Sequence, residues 1–145
     1  MASTYTSNSG IEQPGSGEQA GAWGSTVNRN FDILDRITGG VGEITLSGTT
    51  HTLTTTDGQL SEGHYKVLIL GGTPSGANTI TISPNDQQKL FFVQNNSGQN
   101  AIFSQGGGAN ATVNNGESAI IYADGKGTGA AVADFTSVLA APTDL

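Results

Sequence analysis

The clearest hydrophobic pattern in the chain lies between residues 17 and 40 and predicts one amphipathic helix. Apolar side chains recur there at spacings of four, four, three and three, which places them on one face of a helix. These side chains belong to Trp23, Val27, Phe31, Leu34 and Ile37. Ser25 is a suitable N-cap, and Gly39 and Gly40 are suitable left-handed stops, so we expect a helix from Ser25 to Thr38.

This apolar stripe must pack against something, because a helix of this length is marginal alone in water. It could pack against its own domain. It could instead meet copies of itself, or a partner protein, around a shared axis. Five apolar positions cannot separate the two arrangements, so both stay open at this point.

From Val41 onwards the pattern changes to short alternating runs separated by turn residues, which is typical of β-strands. The predicted strands are Val41–Leu46, His51–Thr54, Tyr65–Leu70, Asn78–Ser83, Lys89–Gln94, Ala101–Ser104, Ala111–Val113, Ser118–Ala123 and Ala130–Phe135. Residues 47–50 are a plausible hairpin loop, and Asn115-Gly116 is a strong hairpin signal. Without helices between the strands, we expect a small antiparallel β-sandwich or barrel of about eight or nine strands.

The predicted core of this β domain takes one residue in two from most strands. It comprises Ile44, Leu46, Leu53, Val67, Ile69, Ile80, Ile82, Leu90, Phe92, Ile102, Val113, Ile120, Tyr122 and Val132.

The first 24 residues are rich in Ser, Thr, Gly, Asn and Gln and cannot build a core of their own. A disordered tail is one interpretation. Tyr5, Ile11 and Trp23 are unfavourable to leave in water, which favours an extended arm that orders on a partner. The predicted division is therefore an arm (1–24), a helix (25–40), a β domain (41–136) and a C-terminal tail (137–145).

The composition of the chain argues against several classes of function. The chain has 22 glycines, 12% charged residues and a net charge of −7. Five basic residues cannot form a surface that follows phosphates, so no nucleic-acid partner is expected. No run of apolar residues is long enough to insert in a membrane, and there is no cysteine for a disulfide or thiolate metal site.

The chain offers little catalytic chemistry. His51 and His64 stand apart without a third ligand at metal spacing, so we expect structural or solvent roles for both. The loop from Asp124 to Gly129 lacks the P-loop and EF-hand patterns and is expected to be an exposed hairpin loop. There is no G-x-S-x-G motif. We expect no enzymatic activity, no cofactor and no metal.

The segment GEQAGAWGSTVNRNFDILDRITGG resembles the G-E-Q-x-G-x-W-G-x-x-x-N-x-N-F segment near the N-termini of tail-fibre and related virion structural proteins of tailed bacteriophages, especially marine phages and cyanophages. The β half is similar to a module of the same proteins, through NTITIS, KLFFVQNNSG and VNNGESAIIYADG. The resemblance implies a virion protein that is made in the cytoplasm of the host bacterium and is usually trimeric. Its N-terminal part would attach to the particle, and its β part would face outward.

The resemblance favours a short tail fibre or a fibre adaptor as the function. Its partners would be further copies in a homotrimer and other virion proteins of the tail, baseplate, neck or capsid. The predicted interface residues are Ile11, Trp23, Val27, Phe31, Leu34 and Ile37.

Three other functions compete with this one. A decoration protein of head or tail is the first. A glycan-binding module for host recognition, with Tyr65, Tyr122 or Phe91 stacking on sugars, is the second. A depolymerising enzyme is the third.

Overall fold

A computed structural model describes residues 2–136, so the predicted C-terminal tail lies outside the described residues. Within them the chain is mainly β, with one α-helix. The elements in chain order are β1 (Thr4–Tyr5), β2 (Glu12–Gln13), α1 (Trp23–Gly39), β3 (Val41–Thr54), β4 (Val67–Ser83), β5 (Lys89–Asn95), β6 (Ala101–Ser104), β7 (Ala111–Val113), β8 (Ser118–Ala123) and β9 (Val132–Asp134), with short 3₁₀ turns at Glu62–His64 and Gly127–Gly129.

The helix is confirmed, but both of its ends differ from the prediction. It begins at Trp23, because the backbone N–H groups of Ala22 and Trp23 already donate to the carbonyl of Gln19. Ser25 therefore lies inside the first turn and is not the N-cap. Gly40 is extended (φ −71°) rather than left-handed, and its N–H donates to the Arg36 carbonyl at 2.8 Å. A side chain at Gly40 would strike that carbonyl, which explains the glycine.

Two long strands replace four predicted short ones. β3 and β4 pair in parallel along their whole lengths, from Val41 opposite Val67 to Thr54 opposite Ser83. The predicted hairpin loop at 47–50 and the predicted break at 73–76 both lie inside these strands, so both predictions are wrong. The register shifts there, and a shift of this kind bends a strand.

The sheet is mixed rather than antiparallel. Its strand order is β7-β6-β4-β5-β8-β9, and β3 lies on the other edge of β4. β4 pairs in parallel with β3, with β5 through its first residues and with β6 through its later ones. The β5–β8, β6–β7 and β8–β9 pairs are antiparallel.

Parallel pairing without a helical crossover requires β4 to curl. Five residues separate β4 from β5, and they span roughly 20 Å when extended. A straight strand of 17 residues would be about 55 Å long, so its end could not reach back to the start of β5. The curled strand brings the sheet round on itself.

The sheet is a nearly closed barrel. The two ends of the strand order, β7 and β9, are joined by hydrogen bonds at and before their first residues. The N–H of Gly108 donates to the Ala130 carbonyl at 3.0 Å, and the N–H of Val132 donates to the Ala109 carbonyl at 2.8 Å. Asn115-Gly116 does form a turn, with Gly116 at φ +81°. The predicted hairpin is nevertheless wrong, because β7 pairs with β6 and β8 pairs with β5.

Half of the predicted core is confirmed and half is inverted. The confirmed residues are Ile44, Leu46, Leu53, Ile80, Ile82, Val113 and Val132. The residues that are exposed or half-buried instead are Val67, Ile69, Leu90, Phe92, Ile102, Ile120 and Tyr122. Their neighbours Leu68, Leu70, Phe91, Val93, Phe103 and Ile121 fill the barrel. These runs are apolar on both faces, and an error of one residue reverses every side chain of a strand.

The N-terminal arm is not extended. β1 and β2 pair as an antiparallel hairpin, and the turn between them rests on the barrel. Asn8 exchanges two hydrogen bonds with Gln88, and the Lys89 ammonium donates to the Asn8 carbonyl at 2.8 Å. The N–H of Gly58 donates to the Gly10 carbonyl at 2.7 Å. The arm therefore folds against its own domain through polar contacts.

Candidate functional site

The helix is fixed to the barrel by a face that the sequence prediction missed. Ile33 is fully buried and Thr26 is nearly so. The Arg36 guanidinium lies 4.2 Å from the centre of the Tyr65 ring and donates to the Ser61 carbonyl at 3.1 Å. The signal for this face was weak, because Ile33 and Ile37 are its only large apolar residues and Ile37 also fits the predicted stripe.

The apolar stripe, defined as Trp23, Val27, Phe31, Leu34 and Ile37, is largely outside this contact. Trp23 and Phe31 are each 62% exposed and Leu34 is 45% exposed. Val27 and Ile37 are half-buried. At 100° per residue, the centre of the stripe lies roughly a quarter turn from Ile33. Packing inside its own domain therefore does not account for the three most exposed members.

Two other apolar residues near the helix are also exposed. Val41, the first residue of β3, is 60% exposed, and Leu60 in the loop after β3 is also exposed. Leu60 shares surface clefts with Asp32 and Arg29 of the helix. At 100° per residue, Asp32 lies nearly opposite the centre of the apolar stripe, so Leu60 and Val41 adjoin the polar side of the helix and do not extend the stripe.

Ile11 stands apart from the other predicted interface residues. It lies in the turn of the arm, where its backbone exchanges hydrogen bonds with Thr6, and its side chain is half-buried. The structure places five of the six predicted residues on one helix and Ile11 on a separate element.

The polar members of the segment from Gly17 to Phe31 have partners within the chain. The Gln19 amide donates to Glu12 at 2.6 Å, and Thr26 donates to Gln19. Asn30 donates to the Glu12 carbonyl at 2.8 Å and accepts from the Glu12 N–H, as a neighbouring strand would. These contacts tie the arm to the helix. They leave the two aromatic members of the segment, Trp23 and Phe31, facing outward.

The two histidines have structural contacts. His51 lies 2.9 Å from the Glu62 carboxylate. His64 is buried in the polar segment before β4, and its ring bonds to the arm and to the 3₁₀ turn. Among residues 2–136, no group of three or more His, Cys, Asp or Glu side chains is placed to hold a metal ion.

Burial shifts two pKa values next to the arm. It lowers the pKa of His64, with Lys89 and Arg36 adding to the effect against an opposing hydrogen bond to the Ser9 carbonyl. Burial also lowers the pKa of Lys89 to about 8.

The three aromatic residues considered for sugar stacking differ in access. Phe91 is 1% exposed and cannot stack on a ligand, so that part of the prediction is wrong. Tyr65 is half-covered by Arg36. Tyr122 is exposed, and Phe135 meets its ring edge-on with ring centres 5.5 Å apart.

Comparison of the chain with family models, with curated proteins and with solved structures finds no match. No helix in the described part of the chain is long and apolar enough to cross a bilayer.

Proposed function

We propose that this chain is a structural protein of a bacteriophage particle, a short tail fibre or fibre adaptor, and that the apolar stripe on α1 is its subunit interface. The β-barrel is the part that faces outward. A decoration protein of head or tail would use the same surface, so it remains the second form of this proposal.

The main support for the proposed interface is a contrast between the polar and the aromatic residues of one segment. Within a single segment of the chain, the polar residues Gln19 and Asn30 bond to the arm, while Trp23 and Phe31 are 62% exposed. Burying a large aromatic side chain is worth about 1.5–3 kcal/mol, so leaving two exposed is costly. Aromatic anchors of this kind supply most of the binding energy at protein interfaces.

A homotrimer suits this surface. The stripe is one row of side chains along one helix, and three such rows can meet on a threefold axis and exclude water together. No charged residue belongs to the stripe, so copies of an acidic chain could approach there without juxtaposed like charges.

The test is the mass of the protein in solution. We expect wild-type protein at micromolar concentration to have three times the 14.7 kDa chain mass by light scattering. The variant Phe31→Ser/Leu34→Ser should have the mass of one chain. Its secondary structure should stay intact, because both side chains are exposed.

The matched control is Asn28→Ser/Asp35→Ser on another exposed part of the helix, which should keep the trimer mass. A wild-type protein of single-chain mass at all concentrations would contradict the trimer.

Attachment to the particle is tested separately. We expect chains lacking residues 1–22 to be absent from purified phage particles, as measured by mass spectrometry, while full-length chains are present. The barrel of the shortened chain should remain folded, since its core residues all lie after residue 40. Normal incorporation of the shortened chain would contradict attachment through the arm.

Glycan binding is the alternative function, and the exposed Tyr122–Phe135 pair is the observation that favours it. The ring of Tyr122 lies beside Gln88, Asp124 and Lys126, which could bond to sugar hydroxyls. A glycan array should show binding that Tyr122→Ala removes and Tyr65→Ala keeps. An array without hits would contradict glycan binding, and assembly would then be the remaining proposed function.

A further inference from the structure

The N-terminal arm is held on the barrel by hydrogen bonds at one short turn, residues 8–10. Asn8 bonds to Gln88 and Lys89, and the Gly10 carbonyl accepts from Gly58. The third contact is the carbonyl of Ser9, which lies 2.7 Å from Nε2 of His64. One titratable ring thus links the arm to the barrel.

The contacts of His64 require a neutral ring of one tautomer. The Ser9 carbonyl can only accept, so Nε2 carries the proton and donates. On the other side, Nδ1 accepts from the backbone N–H of Ser61 at 3.2 Å, within the capping box of the 3₁₀ turn. A second proton on Nδ1 would face that N–H, and the hydrogen bond would be lost.

The surroundings of the ring disfavour a positive charge. The His64 side chain is almost fully buried, and burial lowers its pKa. The charged groups near it are mostly cationic: Arg36 on α1, Lys66 before β4 and Lys89 on β5. Glu62 in the same turn is bound to His51 instead. The nearby acidic residue Asp57 lies next to Gly10 of the arm. The arm itself contributes uncharged groups here: the Ser9 carbonyl contacts the ring, and the Asn8 carbonyl contacts Lys89.

The geometry points to a pH-sensitive latch: neutral His64 holds residues 8–10 of the arm on the barrel, and a proton on Nδ1 drives the ring to solvent and releases them. The sign follows from linkage. A group whose pKa is lower in the docked form favours docking above its ordinary value near 6.5, and this preference is lost as the pH falls below it. Mild acid therefore frees the arm while the barrel core, which contains no titratable residue, stays folded.

Hydrogen exchange at single amides tests the latch. The N–H groups of Gly58 and Gln88 donate to the arm and report docking, and the N–H of Phe92 donates to the Lys66 carbonyl and reports the barrel. Between pH 7 and 5, after correction for intrinsic exchange, we expect protection at Gly58 and Gln88 to fall, by up to about 25-fold, the limit for a ring whose pKa is near 6.5 when free. Protection at Phe92 should change little.

Two variants separate His64 from other groups. His64→Gln keeps a donor and an acceptor but cannot titrate, so arm protection should become nearly independent of pH. The matched control His51→Gln removes the other histidine and should behave as wild type. Arm protection that is flat with pH in the wild type, or that still falls with acid in His64→Gln, would overturn the latch.

A measurement on the wild type alone covers the case in which His64→Gln does not fold. The ring carbon shifts of His64 give its own titration midpoint by NMR. Release of the arm should have the same midpoint, and a midpoint that differs clearly would also overturn the proposal. The latch does not depend on the proposed function, since these experiments use the isolated full-length chain.

Discussion

Phe91 and Phe92 are adjacent and chemically identical, yet their side chains lie on opposite faces of the sheet. Phe91 is 1% exposed in the barrel, whereas Phe92 is 41% exposed on the outer face of β5. Only the alternation of the strand decides which of the two is inside. The sequence KLFFVQ is apolar on both faces and therefore cannot decide it.

The two phenylalanines give a matched test of the register. Phe91→Ala should lower the free energy of unfolding by about 3–5 kcal/mol, because it leaves a cavity in the core. Phe92→Ala should lower it by about 1 kcal/mol or less, since much of its side chain already contacts water. Urea unfolding measures both, and a larger loss for Phe92→Ala would contradict the register of β5.

At this scale, the sequence predicted the inward residues well wherever polar residues alternate with apolar ones. Ile80 and Ile82 in NTITIS are both buried as expected. Ile33 was missed because it lies outside the predicted stripe and, of its neighbours on that side of the helix, only Ile37 is apolar. His64 was missed because burial of a histidine depends on the arm, which comes from 55 residues earlier in the chain.

At the scale of elements, β4 decides the architecture. It pairs with β3, β5 and β6, and it must curl to do so. Local turn signals such as Gly48, Pro74 and Gly76 predicted breaks, but long-range pairing keeps the strands continuous through a bulge. The helix α1 was predictable because its 3.6-residue period does not depend on distant partners.

Gly72 is the point in β4 where a side chain is least tolerable. Its φ is +89°, and a Cβ there would meet the backbone of Leu46 on β3. Gly72→Ala should lower the free energy of unfolding by about 2 kcal/mol or more. Gly71→Ala, where a Cβ has open space, should change it by about 0.5 kcal/mol or less, as measured by thermal or urea unfolding.

At the scale of the whole molecule, a small barrel carries two dependent parts, an arm bonded by polar contacts and a helix with an exposed apolar stripe. The barrel buries its core without them, so neither part is explained by stability of the barrel alone. The proposed assembly would account for the stripe, and the proposed latch would account for the buried His64.

Lys89 makes the free energy of unfolding depend on pH in the alkaline range. Because its pKa falls from 10.5 to about 8 on folding, the unfolded chain binds more protons between these values. The free energy of unfolding should therefore rise as the pH increases from 8 to 10.5, by up to about 3 kcal/mol.

Urea unfolding across this pH range measures the rise. Lys89→Met should flatten it, and Lys126→Met, at an exposed lysine, should keep it. A rise that persists in Lys89→Met would assign the effect to another group.

The most direct test of the central claim uses Trp23, the only tryptophan in the chain, as a fluorescent probe within the stripe. As the protein concentration increases, its emission should shift to the blue and its quenching by acrylamide should decrease, because assembly buries the ring. Phe31→Ser/Leu34→Ser should keep the emission of an exposed tryptophan at every concentration. A Trp23 that stays equally exposed in the wild type at all concentrations, and in purified particles, would contradict the claim that the stripe is an interface.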